Sequence, residues 1–268
     1  MNESKFLYTF NIFFVFVAIA VAITQVPKDD TPTVPILMYH YFAPGEASSV
    51  IVDPDVFREQ LKYLLAEGYE TITDEELLLF LQGELEIEKP LLITIDDGYT
   101  NNYEYAYPIL KDLGVTATIY TITSYRGQTP GYNAHFDWDQ AREMYQSGHV
   151  ELQSHTHDLH YAVDDTPALV ARLEGESEED YRRRIRADLK KSKLLLEEEV
   201  GTQVITISYP YGTYNDTVVE VSKELGYELG LTVRPGVNRP GDNPFALKRI
   251  NVPGHYSGED IVREINRY

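Results

Sequence analysis

Short apolar runs alternate along this chain with longer stretches in which apolar residues recur every three or four positions, and the alternation predicts its elements. Residues 35–40 form an apolar strand ending at His40, and residues 55–67 follow with helical spacing at Phe57, Leu61, Leu64 and Leu65. A second helix is predicted over 73–81, where Thr73 and Glu76 have the spacing of a capping box. Pro90, Leu91, Leu92, Ile93, Thr94 and Ile95 read as a buried strand that stops at Asp96, Asp97 and Gly98. Residues 103–113 are helical and close at Gly114, after which 117–123 form a β-rich run. A helix over 138–147, a strand over 150–153 and a long charged helix over 178–199 continue the series. Strands are then predicted over 204–208, 228–232 and 247–251, with a helix over 216–225. Repeated βα units of this length predict an α/β fold, a parallel sheet with helices outside, either closed as a barrel or doubly wound.

One segment breaks the alternation. Residues 6–24 are uncharged and mostly apolar over 19 positions, near the minimum for crossing a bilayer core. Residues 1–24 are therefore expected to be a retained signal anchor or, second, a cleaved signal peptide, since Ala18-Ile19-Ala20 offers a cleavage site only inside the run. Pro27 and Pro32, with Lys28, Asp29 and Asp30 between them, mark residues 25–33 as a linker, and the folded domain is expected over 34–268. This organisation places the domain on the extracellular face of the membrane or in the secreted fraction, with the membrane as a partner if the leader is kept.

Composition narrows the chemistry. A length of 268 residues at 43% hydrophobic suits one single-core domain, expected to act as a monomer. With no cysteine, disulfides, thiolate ligands and cysteine nucleophiles are excluded, so any metal must be held by His, Asp or Glu. A net charge of −20 argues against nucleic acid and against electrostatic attachment to anionic lipid. It suits a neutral or cationic substrate or product, and it also suits a plain adaptation for solubility.

The residues with chemistry recur where strands end: His40, Asp96 with Asp97, His155 with His160, and Tyr209 to Gly212. In a parallel α/β barrel the C-terminal strand ends converge on one face, so residues far apart in sequence meet there. Two histidines and a carboxylate suit zinc and other divalent first-row ions, and three protein ligands leave positions open for water and substrate. His157 competes with His160 for the second histidine position. His135, His149 and His255 have no motif around them and are read as surface residues, and Arg182, Arg183 and Arg184, among glutamates, as a solvated salt-bridged helix face.

Thr94-Ile95-Asp96-Asp97-Gly98-Tyr99 resembles the first motif of the polysaccharide deacetylase family, carbohydrate esterase family 4, also called the NodB-homology domain. Ser154-His155-Thr156-His157-Asp158-Leu159-His160 resembles its second motif, with the histidine spacing of the poly-β-1,6-N-acetylglucosamine deacetylases. Ser208-Tyr209-Pro210-Tyr211-Gly212 is similar to the third. The resemblance covers the chain from Val34 onward and implies a single distorted (β/α) barrel.

By resemblance, Asp97, His155 and His160 bind one divalent ion, zinc in the first place with cobalt, nickel or manganese as alternatives, and Asp96 is the general base. His40 resembles the histidine of the family's last motif, the general acid toward the departing amine. Its place ahead of Asp96 resembles the circularly permuted arrangement of deacetylases acting on exopolysaccharide. Trp138 would be the aromatic of the fourth motif, and the Tyr211 backbone N–H, beside Gly212, would help hold an oxyanion. Tyr99, Tyr132 and Tyr211 are candidates to stack on sugar rings. The family's third motif usually begins with an arginine that orients the catalytic aspartate, and Ser208 stands there here; Arg142 and Arg249 are the candidates to replace it. The implied activity is removal of N-acetyl groups from an extracellular N-acetylglucosamine-containing polysaccharide, either poly-N-acetylglucosamine-like or a cell-wall glycan, releasing acetate. The alternatives are an O-acetyl esterase of xylan type and a weakly catalytic carbohydrate-binding matrix protein that retains the metal site.

Overall fold

Strands Val34–Tyr39 (β1), Glu70–Thr71 (β2), Pro90–Asp97 (β3), Ala117–Thr121 (β4), Val150–Ser154 (β5), Thr206–Ser208 (β6), Leu229–Leu231 (β7), Val237–Asn238 (β8) and Ile250–Asn251 (β9) form one sheet in the computed structural model. The model describes residues 31–268, so the leader expected over 1–24 and most of the linker expected over 25–33 lie outside the described residues. Among the described residues no helix is long and apolar enough to cross a membrane. The strand order is β7-β6-β5-β4-β3-β1-β8, with β2 beside β3 and β9 beside β1. All pairings are parallel except β1 with β8.

Register sorts the side chains into two layers. Leu37 pairs with Ile93, and Ile95 pairs with Ile119, which pairs with Leu152. These residues share one apolar cluster with the buried faces of helices Pro54–Ala66 (α1), Tyr107–Leu113 (α3), Trp138–Gln146 (α4), Glu178–Val200 (α5), Asp216–Glu224 (α6) and Gly258–Ile265 (α7). The alternate residues Val34, Ile36 and Leu92 belong to a second cluster on the inner face, with Leu77, Phe80 and Leu81 of helix Asp74–Gln82 (α2) and with Leu229, Leu231 and Leu247. Strands buried on both faces read as continuous apolar runs, which is why β1 and β3 stand out in the sequence. Farther along the strands the inner face turns polar, with Thr94 and Asp96 on β3, Thr118 on β4 and Ser208 on β6, all buried.

The sheet curls until its two sides are joined by one segment. The Leu247 N–H donates to the Gly230 carbonyl (3.0 Å) and the Thr232 N–H to the Leu247 carbonyl (2.9 Å), while the Val252 N–H donates to the Met38 carbonyl (3.1 Å). The strand predicted over 247–251 is therefore split between a bridge at Leu247 and the two residues of β9. Its chain changes partner from β7 to β1 midway, and neither ladder runs far. The curled sheet is the architecture expected of a (β/α) barrel rather than of a flat doubly wound sheet.

Helix boundaries follow capping chemistry. Asp53 accepts from the Asp55 and Val56 N–H groups ahead of α1, with Pro54 in the first turn. Reciprocal capping boxes join Thr73 with Glu76 at α2 and Asp137 with Gln140 at α4. The helix predicted from 103 begins as a π-helical turn, Asn102–Ala106, before α3. Not anticipated were β2, β8, the ribbons Tyr41–Phe42 with Ile51–Val52 and Ala162–Val163 with Thr166–Pro167, and α7. The strand pieces, two residues each, are too short to show a period. α7 carried a legible signal in the Ser257 and Asp260 capping box.

Candidate metal centre and active site

β3 delivers both carboxylates, but to different partners. Asp96 lies on the inner face beside Tyr120 in the register and is almost fully buried. By strand alternation Asp97 would face the helix layer with Ile93 and Ile95. Instead Asp97 adopts φ 75° and Gly98 φ 77°, and the chain turns sharply at the strand end. A left-handed non-glycine residue costs on the order of 1–3 kcal/mol, and such residues gather at functional sites. Thr156 (φ 73°), beside His155, and Tyr211 (φ 58°) have the same conformation.

The turn brings Asp97 Oδ1 to 3.4 Å from His155 Nε2 and 3.3 Å from His160 Nε2. One ligand atom from each of these three residues lies within 4.8 Å of the others. Two ligand atoms about 2.0–2.1 Å from a shared ion at the tetrahedral angle stand about 3.3–3.4 Å apart, so these residues fit a small divalent cation. Asp97 Oδ1 is also buried without a hydrogen-bond partner among the described residues, as a ligand atom would be in the absence of its ion. His155 Nδ1 lies 2.7 Å from the Ser208 carbonyl oxygen, to which it donates, leaving Nε2 to face Asp97 and His160. Burial would raise the Asp97 carboxyl, but the close approach and charge of His155, with the charges of His160 and His40, hold it well below the ordinary carboxylate range. Burial and the neighbouring His155 push the His160 imidazole down to about 4, so it is neutral and able to ligate near pH 7.

Asp96 has a separate support. Arg249, 1% exposed, donates from Nη1 to Asp96 Oδ1 and from Nη2 to Asp96 Oδ2, both at 2.8 Å, a bidentate pair. The same guanidinium donates to Ser208 Oγ (3.0 Å), Thr94 Oγ1 (3.3 Å) and the Thr232 carbonyl (2.8 Å). Ser208 Oγ in turn donates to Asp96 Oδ2 at 3.2 Å. Burial alone would raise the Asp96 carboxyl, but the charge of Arg249, then His155, the Arg249 hydrogen bonds and His40, bring it below its ordinary value. Asp96 is thus a fixed, ionised acceptor. The gap left by Ser208 at the start of the third motif is filled from the far end of the chain, and Arg142 is not the substitute: it bonds Asp139 and Glu199 at the α4–α5 surface.

His40 closes the group. Its influence reaches both Asp96 and Asp97, its Nδ1 is buried without a partner among the described residues, and its carbonyl accepts from Asn102 Nδ2 at 2.9 Å. With Tyr41, Glu46, Asp97, Tyr99 and Asn133 it lines a cavity of about 420 Å³. Tyr211 is half-exposed and its ring tilts over His160, with centroids 4.8 Å apart. Trp138, at the start of α4, is partly buried against the outer core and is not among the residues lining the cavity. Of the other tyrosines considered for sugar stacking, Tyr99 lines the cavity and Tyr132 is fully exposed and is not among the lining residues.

The sequence profile of the polysaccharide deacetylase family matches residues 86–230. The chain belongs to the polysaccharide deacetylase family. It is 35% identical to YxkH of Bacillus subtilis (strain 168), a protein named for the same family, over 86% of this chain and 76% of that one. It is 29% identical to the poly-β-1,6-N-acetyl-D-glucosamine N-deacetylase of Staphylococcus aureus over 80% of this chain and 71% of the relative. Among solved structures, IcaB from Ammonifex degensii superposes with a TM-score of 0.76 at 29% identity, covering 87% of this chain and 96% of that one. The Streptococcus pyogenes deacetylase PplD in complex with acetate gives 0.73 at 29% identity, covering 88% and 99%. The profile match takes in Asp96, Asp97, His155, His160, Ser208 and Tyr211 but leaves His40 and Arg249 outside, one on each side.

Two neighbours of the family motifs, Asp188 and Arg126, went unread in the sequence, and a third, His135, was misplaced. Asp188 of α5 accepts from the His157 and Asp158 N–H groups, each at 2.8 Å, and so pins the loop that carries the two histidines. Its signal was a carboxylate three positions from Ile185 on the buried side of a helix. Arg126 is buried over the Phe136 ring, 4.1 Å from its centroid, and donates to the Asp97 carbonyl at 3.1 Å. A Cβ on Gly98 would meet that guanidinium at 2.7 Å, and with φ at 77° the position favours glycine. His135, expected at the surface, is instead buried between Tyr99 and Tyr125. His255 is exposed, and His149 is half-buried against the Val115 carbonyl. His157 lies apart from the metal group, its Nδ1 at 2.9 Å from Thr123 Oγ1. Arg182 and Arg183 form the surface ion pairs expected of them, whereas Arg184 also reaches inward to the Ala168 and Ala171 carbonyls.

Proposed function

We propose that this protein is a metal-dependent N-deacetylase acting outside the cell on an N-acetylglucosamine polymer, releasing acetate. The observation that carries the reading is the division between two adjacent carboxylates, Asp97 facing two imidazole nitrogens and Asp96 clamped by Arg249. Asp97, His155 and His160 would hold a divalent ion, which would supply Lewis acidity toward water and an acetyl carbonyl. Asp96, ionised and fixed in orientation, accepts the proton of the attacking water. His40, across the same cavity, donates a proton to the departing nitrogen so that it leaves as a free amine. The Tyr211 N–H beside Gly212 is proposed as an added oxyanion donor, and the Trp138 ring as part of a more distant sugar contact.

The resemblance to the poly-β-1,6-N-acetylglucosamine deacetylase motifs supports that polymer as substrate, and zinc suits the nitrogen-rich ligand set. Residues 6–24 are the proposed means of keeping the enzyme at the outer membrane face, and the catalytic domain is proposed to act as a monomer. Arg249 removes the chief argument for a weakly catalytic binding protein, namely the missing arginine at 208.

Acetate release from β-1,6-linked N-acetylglucosamine oligomers and from acetylated xylan, with and without a chelator, tests the reading. Chelator-sensitive release from the first alone is expected. Asp96→Asn should keep its metal and lose about 10²–10⁴-fold in kcat. Full turnover by metal-loaded Asp96→Asn protein would remove Asp96 from the base role, and release from xylan alone would make the enzyme an O-acetyl esterase.

A further inference from the structure

The cavity beside the metal group has a second feature. Besides His40 and Asp97 it is lined by Tyr41, Glu46, Tyr99 and Asn133, with Ala43, Val50 and Ile51 as apolar walls, and no lysine or arginine lines it. At about 420 Å³ it falls within the range of about 300–1,000 Å³ in which small organic ligands bind. Asp97 is committed to the histidines. That leaves Glu46 as the carboxylate with no ion-pair partner among the described residues.

The backbone that carries Glu46 is held in place, and its side chain is exposed at the cavity rim. The Glu46 N–H donates to the Ala43 carbonyl at 3.3 Å, and the neighbouring Gly45 N–H bonds Asp53 Oδ2. The far side of the loop is tied to the C-terminal segment through Asn251 Nδ2 to the Ser49 carbonyl (3.0 Å) and the Gly254 N–H to the Ser48 carbonyl (2.8 Å). A Cβ on Gly254 would lie 2.1 Å from the Ile51 carbonyl, so the two segments touch backbone to backbone. The Tyr41 and Tyr99 rings meet edge to face on the cavity wall, with centroids 5.2 Å apart. An aromatic face beside an unpaired carboxylate attracts a cation carried on a ring.

We infer that the Glu46 end of this cavity, next to the reacting position at Asp97 and His40, is a subsite for a cationic amino sugar, a glucosamine unit already freed of its acetyl group, with Glu46 selecting its ammonium. The inference rests on the deacetylase reading and deepens it: the preferred substrate is a partly deacetylated chain. Each product amine then favours reaction at a neighbouring residue.

The test compares a β-1,6-linked N-acetylglucosamine tetramer with the same tetramer carrying one free amine. In the wild type the amine-bearing tetramer should show a KM about five-fold lower at unchanged kcat, an advantage that shrinks at high salt. Calorimetric binding to the Asp96→Asn protein, in which turnover is expected to be about 10²–10⁴-fold slower, should show the same ratio. Glu46→Gln should abolish the preference. Glu228→Gln, which changes the net charge equally outside the cavity, should keep it. Equal KM values for the two tetramers in the wild type, or a preference that survives Glu46→Gln, would overturn the inference while acetate release continued. If no acetate were released from any N-acetylglucosamine oligomer, the deacetylase reading would fall first and the inference with it.

Discussion

Arg249→Lys is the substitution that most directly probes how Asp96 is held for its proposed role as base. The guanidinium of Arg249 donates five hydrogen bonds, two of them to the two oxygens of Asp96. A lysine ammonium keeps the charge but has three donors on a single nitrogen, and it cannot reproduce the fork. Because the charge stays, the large penalty of an unpaired buried carboxylate, about 3–5 kcal/mol for Arg249→Ala, is avoided and the protein should fold. Lost hydrogen bonds should cost about 1–3 kcal/mol of stability. The catalytic cost is larger in relative terms, since an Asp96 free to shift by about 1 Å should lose about 10²-fold in kcat, equivalent to about 2.7 kcal/mol of barrier.

Steady-state acetate release, metal content and the pH profile of kcat/KM would be measured together. Metal content should be unchanged, because Arg249 contacts none of Asp97, His155 and His160. The looser cation holds the Asp96 carboxyl down less, so the acid limb of the profile should move to higher pH. Arg142→Lys, altered at the α4–α5 surface, should behave as wild type. Arg249→Lys protein with full metal, kcat within two-fold of wild type and an unmoved acid limb would refute the clamp.

Asp188→Ala should free the His157 and Asp158 N–H groups and loosen the histidine loop, weakening metal affinity by about ten-fold or more in a chelator competition; unchanged affinity would dismiss Asp188 as a support. Acid stability of the metal-free protein supplies a further check. The folded Asp96 carboxyl lies below its unfolded value of about 3.9, so its contribution is complete above that value and is lost as pH falls toward the folded one. Melting temperature should therefore fall less steeply with acid in an Asp96→Asn/Arg249→Met double variant, and an identical fall in both proteins would show that the pair stores no such stability.

Sequence alone determined the βα series, because strands buried on both faces read as unbroken apolar runs and helices announce their caps. It also offered Asp97, His155 and His160 as the candidate ligand set, since each sits in a short motif at a strand end. Arg249 was different. It lies 153 positions from Asp96 in the chain, with no motif around it, and nothing local distinguishes it from Arg142. Only the curl of the sheet decides between them, because the segment joining β7 to β1 turns the Arg249 side chain into a buried polar interior where an unpaired carboxylate would be costly. The same closure ties down the loop that carries Glu46, while Tyr99 and Tyr125 bury His135, which the lack of any motif around it had left at the surface. Motifs record what neighbouring residues do for one another; charge pairing across a curled sheet depends on which strand ends converge, and only the folded chain settles that.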